Sequence, residues 1–215
     1  MLIGLLPLVV GCSGMNTKAV DQATLLTLKN KTLSLVIHES PNFMAMTFDK
    51  SMFNDAHVDA AYAEGNRLVR EKGINDPADK ICKMMAEIFS ESYGLSYNRS
   101  SMIKSKSKKM KDLVHLANVK DYLLDVETVY WFFLNKEHKR PDYYISYTAK
   151  TNLIDVNKST SIGKSTCEYD TVSAGKPLVS YEKLIENDAA YIKQALNDAA
   201  NFCINKFTNE LTFNE

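Results

Sequence analysis

The 215-residue chain has few prolines, glycines and cysteines and no excess of positive charge. Five prolines and eight glycines are too few for a collagenous or low-complexity chain. Basic and acidic residues number 26 each, so the formal net charge is zero and there is no bulk electrostatic attraction to nucleic acid. The sequence has no Cys-x-x-Cys pair and no His-x-x-x-His spacing, the patterns typical of common zinc and thiol-redox sites. We therefore expect no metal, no cofactor and no nucleic-acid partner.

The one long apolar run is residues 1–12, which ends in Val9-Val10-Gly11-Cys12. This ending resembles the lipobox of bacterial lipoproteins, in which a small residue precedes an invariant cysteine. The resemblance implies that residues 1–11 are a signal peptide and that Cys12 is lipidated, first by a diacylglycerol on its thiol. Ser13, rather than Asp, implies sorting to the outer membrane, with the protein on its periplasmic face. A truncated signal peptide with an accidental cysteine, or a buried N-terminal strand, is the alternative interpretation.

The rest of the chain has the length of one domain. Residues 12–29 are polar and weakly patterned, and we interpret them as a lipidated tether. Residues 30–215 then form a single periplasmic domain.

Hydrophobic periodicity predicts the element order β-β-α-α-β-β-β-α. The predicted strands are 32–39, 43–48, 122–134, 143–156 and 161–169, and the predicted helices are 54–72, 76–94 and a long one from Ser180. Short turns join the last three strands, which favours an antiparallel meander. The sequence therefore predicts an α+β fold: a mostly antiparallel sheet, two helices between the early and late strands, and a long C-terminal helix.

The cysteines indicate one disulfide. If Cys12 is lipidated, Cys82, Cys167 and Cys203 remain, and the periplasm permits a disulfide. Cys167 lies in a predicted strand and Cys203 in the predicted last helix, so we favour a bond between them, with Cys82 as a buried free thiol. Three reduced cysteines packed as small hydrophobic residues are the alternative.

Two carboxylates are the strongest candidates for chemistry. Asp125 and Glu127 lie two apart on one face of a predicted strand, where they could bind a cation or act as an acid–base pair. A solvated face, or a partner in Lys150 on the next strand, explains them as well. His38, Glu39 and Ser40 have the residue types of a hydrolase triad, but neighbours on a strand point to opposite faces.

The aromatic cluster between Tyr130 and Tyr147 is the least ordinary feature. Strict alternation places Leu124, Val126, Tyr130, Phe132 and Leu134 on one face, and Val129, Trp131 and Phe133 on the other. An apolar second face needs either a covering helix or another protein, because exposed aromatic residues are favoured in interfaces. Core packing and a partner surface both remain open for Trp131 and Phe133, together with His138 and Tyr144.

The whole pattern resembles small periplasmic lipoproteins related to the TolB N-terminal domain, including LpoB-like and PelC-like proteins. The features that carry the resemblance are the lipobox, the helix start Asp76-Pro77-Ala78, the hairpin sequence LIDVNKST at 153–160 and the long last helix. The family hairpin often has a Thr-Gly turn, where this chain has Ser159-Thr160. The resemblance implies an adaptor in an envelope machine and implies no catalytic residues.

We therefore expect a non-enzymatic, outer-membrane-anchored periplasmic lipoprotein that acts as a subunit or adaptor of a secretion, transport or cell-wall complex. Its partners would be the membrane, through the lipid, and other envelope proteins, and it could also form a homo-oligomer. A periplasmic hydrolase with Asp125 and Glu127 in its site, or a small-ligand-binding lipoprotein, is the alternative.

Overall fold

The computed structural model describes residues 17–47, 49, 56–117, 120–136 and 142–212. Cys12 and His138 lie outside the described residues, so their predicted roles remain predictions.

The described residues form one eight-stranded sheet. Its strands are β1 Thr32–His38, β2 Met44–Met46, β3 Ser96–Tyr97, β4 Ile103–Ser105, β5 Tyr122–Asn135, β6 Asp142–Asp155, β7 Thr160–Asp170 and β8 Val179–Ser180. The main path runs β3-β1-β5-β6-β7; β2 pairs with β5, β4 with β1 and β8 with β6.

The predicted antiparallel meander is confirmed in β5, β6 and β7. The other half of the sheet differs from the prediction, because β1 runs parallel to β3, β4 and β5, and β2 runs parallel to β5. The sheet is therefore mixed. Parallel neighbours require a crossover connection, and the segment with two long helices between β1 and β5 supplies one.

Five helices accompany the sheet in the described part of the chain: α1 Gln22–Thr27, α2 Ala56–Lys72, α3 Pro77–Tyr93, α4 Met110–Leu116 and α5 Tyr181–Thr212. Asp76 caps α3 by accepting a hydrogen bond from the Ala78 amide, and Gly94 ends it with a φ of 69°. The long C-terminal helix is confirmed, but its backbone is non-helical from Glu186 to Ala189. Segments α1, β3, β4, α4 and β8 are additions to the predicted elements.

The helices define two different faces of the sheet. On the inner face, α3 and α5 lie side by side and bury the main core, which includes Ile81, Phe89 and Phe207. On the outer face, α4 covers only one end, where Leu113 packs with Leu123 and Ile154. The remainder of the outer face is left without a covering helix among the described elements.

A β-bulge in β5 changes which residues face the core. The pairing with β6 shifts register between Thr128 and Tyr130. Even-numbered residues such as Val126 are buried before the bulge, and odd-numbered residues such as Trp131 and Phe133 are buried after it. The predicted faces are therefore wrong beyond Thr128, because one extra residue reverses the alternation.

The body of the protein begins earlier than predicted. Residues 17–29, assigned above to the tether, contain the buried side chains of Val20, Leu25 and Leu28. Asp21 caps α1 through the Thr24 amide, and Lys18 pairs with Lys164 on β7. The segment is polar in overall composition, yet it carries three buried aliphatic side chains, so residues 17–29 belong to the body.

The structure contains the disulfide favoured from the sequence. Cys167 on β7 and Cys203 on α5 are bonded, with an S–S distance of 2.03 Å, and Cys82 is a buried free thiol. Burial raises the pKa of the Cys82 thiol well above its ordinary value, and the charge of Asp125 adds to the effect. Cys82 is therefore held protonated and unreactive in the folded protein.

Candidate functional site

A groove of about 910 Å³ runs along the open part of the outer face toward β7. Its lining comes mainly from β5, β6 and β7, with Lys108 at one side and Phe202 and Lys206 of α5 at the other. Both predicted carboxylates, Asp125 and Glu127, line it. This groove is the candidate functional site.

Asp125 is paired with a histidine that the sequence did not connect to it. His38 Nε2 lies 2.6 Å from Asp125 Oδ1, and the His38 side chain is almost fully buried. Burial alone would lower the pKa of His38, but the hydrogen bond to Asp125 and the negative charge of Asp125 raise it, and the net pKa is above the ordinary value. The parallel β1–β5 register, which sets Val36 opposite Asp125, brings the two side chains together.

Glu127 is also paired with a cation. Lys108 Nζ contacts Glu127 Oε1, and Lys150 lies directly opposite Glu127 in the β5–β6 register. Lys150, the partner suggested by the sequence, lies opposite Glu127 on the next strand, but the ion pair of Glu127 is made by Lys108. Lys108 lies just before α4 in a segment that also contains Lys104, Lys106 and Lys109, and sequence alone gave no signal that it reaches β5.

Among the residues that the structure describes, this arrangement has no third member of a catalytic triad. His38 Nδ1 is buried and has no hydrogen-bond partner in the described part of the chain. A triad needs a nucleophile on the ring nitrogen that the carboxylate does not hold. Among residues 17–47, 49, 56–117, 120–136 and 142–212, no group of three His, Cys, Asp or Glu side chains could hold a metal ion.

Two threonine hydroxyls in the groove lack partners. Thr148 and Thr151 are 3% and 2% exposed, and within the described residues neither Oγ1 atom makes a hydrogen bond. Both residues line the groove. Thr148 lies opposite Tyr130 and so belongs to the outer face, whereas Thr151 lies opposite Val126. Because buried hydroxyls are normally hydrogen-bonded, the Thr148 hydroxyl could receive a polar group of a ligand.

The β-bulge places two residues of the predicted partner surface, Trp131 and Phe133, on the core side of the sheet. Trp131 is buried, with Nε1 donating to the Pro41 carbonyl at 2.8 Å, and Phe133 is fully buried against Phe43 and Tyr143. The proposal that these two residues are exposed to a partner is therefore wrong, and they are core.

A different aromatic cluster lies on the outer face. Tyr130 stacks on Phe132 with ring centroids 5.9 Å apart, and Phe132 contacts the edge of Tyr144 at 6.2 Å. Tyr130 is 42% exposed and lines the groove. Of the predicted surface residues, Tyr144 alone has a described position on this face, and the bulge explains why Tyr130 and Phe132 replace Trp131 and Phe133.

A second cleft of about 720 Å³ lies on the other side of the sheet, where the start of α3 meets α5. Lys80 Nζ there donates to Asn197 and Asn201, at 2.7 and 2.6 Å. His38 and Ser40, considered above as members of a hydrolase triad, line this cleft, whereas Asp125 and Glu127 do not.

Comparison with known proteins gives remote similarities. No protein-family model matches the chain, and no curated protein matches it. Solved structures similar to it include a protein described as a neuraminyllactose-binding hemagglutinin homolog from Helicobacter pylori, the PelC dodecamer from Paraburkholderia phytofirmans and the lipoprotein GNA1162 from Neisseria meningitidis.

The sequence identities to these three structures are 14%, 12% and 11%, and the TM-scores are 0.37, 0.33 and 0.30. The alignments cover 86%, 93% and 82% of this chain, and 84%, 97% and 99% of the other chains. The function proposed below rests on this chain's own residues.

In the part of the chain that the structure describes, no helix combines the length and the apolar character needed to cross a bilayer.

Proposed function

We propose that the protein is a non-enzymatic lipoprotein, anchored through Cys12 to the periplasmic face of the bacterial outer membrane, and that it serves as a subunit or adaptor of an envelope complex. The observation that carries the proposal is the position of Cys12. Only residues 13–16 separate this lipobox cysteine from Thr17, where the described body of the protein begins.

Two physical arguments support the anchored state. Two or three acyl chains, at about 0.8 kcal/mol per buried CH₂ group, hold a protein stably on a bilayer. The Cys167–Cys203 disulfide suits the oxidising periplasm, where such bonds form and persist.

An adaptor function agrees better with the groove than a hydrolase function. Asp125 is hydrogen-bonded to His38 and Glu127 is ion-paired with Lys108, so both predicted acid–base groups already have partners in the protein. The aromatic cluster beside them, in which Tyr130 is exposed and Phe132 and Tyr144 are half-buried, has the residue types that dominate binding interfaces.

Replacement of the lipobox cysteine tests the proposal. We expect Cys12→Ser to fold normally and to leave the membrane fraction, because the residue precedes the body. The matched control is Cys82→Ala, which removes a different unpaired thiol and should remain with membranes. Retention of Cys12→Ser on membranes after high-salt washing would contradict the anchor.

The adaptor role is tested by affinity purification from detergent-solubilised envelopes. The lipidated protein should recover a defined set of envelope proteins, and Cys12→Ser should recover less of them. Recovery of no protein above an untagged control would contradict a role as a subunit or adaptor.

A small-ligand-binding lipoprotein is the second candidate. The observation in its favour is the unpartnered hydroxyl of Thr148, on the outer face beside a groove large enough for a small molecule. Native mass spectrometry of the protein purified from its envelope should then show a bound small molecule, and Thr148→Val, which has the same shape without the hydroxyl, should lose it.

A further inference from the structure

The described chain begins at the β7 edge of the sheet. The backbone of Lys18 makes two hydrogen bonds with Lys164, each 2.8 Å long, and the pairing is antiparallel. Because of that direction, the chain reaches Lys18 from the side of Thr166, and Thr17 itself lines the groove. The point at which an N-terminal anchor joins the body is therefore fixed beside the groove.

Covalent geometry limits the distance between this point and a bilayer. If Cys12 carries the lipid, as in the proposed function, five residue steps lead from it to Thr17. A fully extended chain covers at most about 17 Å in five steps. The 14-residue strand β6 is about 46 Å long at the usual rise per residue. The anchor therefore keeps the β7 side of the body close to the lipid headgroups.

The surface at this side has the composition of a membrane-resting surface. Tyr130 and Phe202 line the groove and are 42% and 46% exposed. Lys150 and Lys164 line it as well, and among the described ion pairs neither lysine takes part. Exposed aromatic rings flanked by lysines are favoured in the headgroup region, where the rings bury apolar area and the ammonium groups meet phosphates.

The acidic residues of the groove do not cancel this character. Asp125 and Glu127 are paired with His38 and Lys108, which leaves Glu168 as the exposed carboxylate of the lining. Since the chain as a whole has zero net charge, the two available lysines are a local feature of this surface.

We infer that the surface formed by Tyr130, Lys150, Lys164 and Phe202, the anchor face, rests on the phospholipid headgroups of the bilayer that holds Cys12. The inference depends on the proposed lipidation and goes beyond it, because it assigns an orientation to the body. The opposite edge of the sheet, at β3 and β4, then points away from the membrane.

The test uses the full lipidated chain in vesicles of phosphatidylethanolamine and phosphatidylglycerol. A fluorophore on Tyr130→Cys reports on the anchor face, and the same fluorophore on Met84→Cys reports on α3, which packs over β1 and β5. Leu26→Cys, on α1 and 82% exposed, is a third position. Cys82 is buried and the other two described cysteines are bonded, so each variant offers one reactive thiol in the described part of the chain.

Phospholipids that carry a nitroxide on the headgroup should quench the label at 130 about twofold or more and leave the label at 84 nearly unchanged, because nitroxide quenching is short-ranged and only a position in the headgroup layer meets the quencher. Lys150→Glu combined with Lys164→Glu should reduce the quenching at 130. Equal quenching at 130 and 84, or quenching at 26 instead of 130, would overturn the inference.

The mass of the protein separates this inference from the proposed function. An unmodified Cys12 would refute the anchored lipoprotein itself. An acylated Cys12 with equal quenching at 130 and 84 would leave the lipoprotein in place and refute the anchor face.

Discussion

The imidazole ring of His38 is buried next to the carboxylate of Asp125. Its ring lies on the outer face beside Asp125, with Glu127 and Lys108 as the next charged neighbours. Burial opposes protonation of the ring, and the hydrogen bond and charge of Asp125 outweigh that effect, so the pKa of His38 is raised. The protonated pair is consequently part of the folded structure over a wider pH range than for a free histidine.

The raised pKa predicts a pH-dependent contribution to folding stability. His38 binds its proton more tightly in the folded state than in the unfolded state, and this difference stabilises the folded protein. The stabilisation is fully present below the unfolded pKa of about 6.5 and is lost as the pH rises through the folded pKa. We expect His38→Gln to lower the free energy of unfolding more at about pH 6 than at about pH 8.5. Urea denaturation at both pH values measures the difference, and exposed His115→Gln is the control. A loss that does not vary with pH would contradict the ion pair.

At the scale of elements, the predictable features are those set by local sequence. Asp76, Pro77 and Gly94 mark both ends of α3, and alternating residues mark β5, β6 and β7, so these elements follow from short-range patterns. The parallel β1–β5 pairing depends on long-range packing, and His38 and Lys108 were missed as partners of the two carboxylates for that reason. The bulge after Thr128 has no local signal in the sequence either, so Trp131 was placed on the wrong face.

The disulfide between β7 and α5 predicts a measurable stability difference. The bond closes a loop with a sequence separation of 36, which the chain-entropy model values at roughly 3–4 kcal/mol. Replacing Cys167 and Cys203 together by Ala should lower the unfolding free energy by about that amount, and Cys82→Ala is the single-thiol control.

Mass mapping of non-reduced peptides checks the connectivity of this disulfide directly. A link from Cys82 to either Cys167 or Cys203 would contradict it.

At the scale of the whole molecule, the N-terminal segment belongs to the fold. The Val20 amide donates to the Leu211 carbonyl at the end of α5, and Asn30 donates to the carbonyl of Gly94 after α3. The segment thereby connects the β7 edge with the ends of both inner-face helices. A lipid on Cys12 would in consequence be coupled to the body through a few residues, which gives the body a restricted orientation relative to the membrane.

The extent of the fold is tested by two shortened chains, one beginning at Thr17 and one beginning at Asn30. The longer chain retains Val20, Leu25 and Leu28, which are at most 4% exposed, and should be as stable as the complete body. The shorter chain loses all three, and since a buried aliphatic side chain contributes about 1.5–3 kcal/mol, we expect a loss of roughly 5 kcal/mol or more. Leu26→Ala, at an exposed position of the same helix, should change stability little. Equal unfolding free energies for the two chains, measured by urea denaturation, would mean that residues 17–29 are a tether after all.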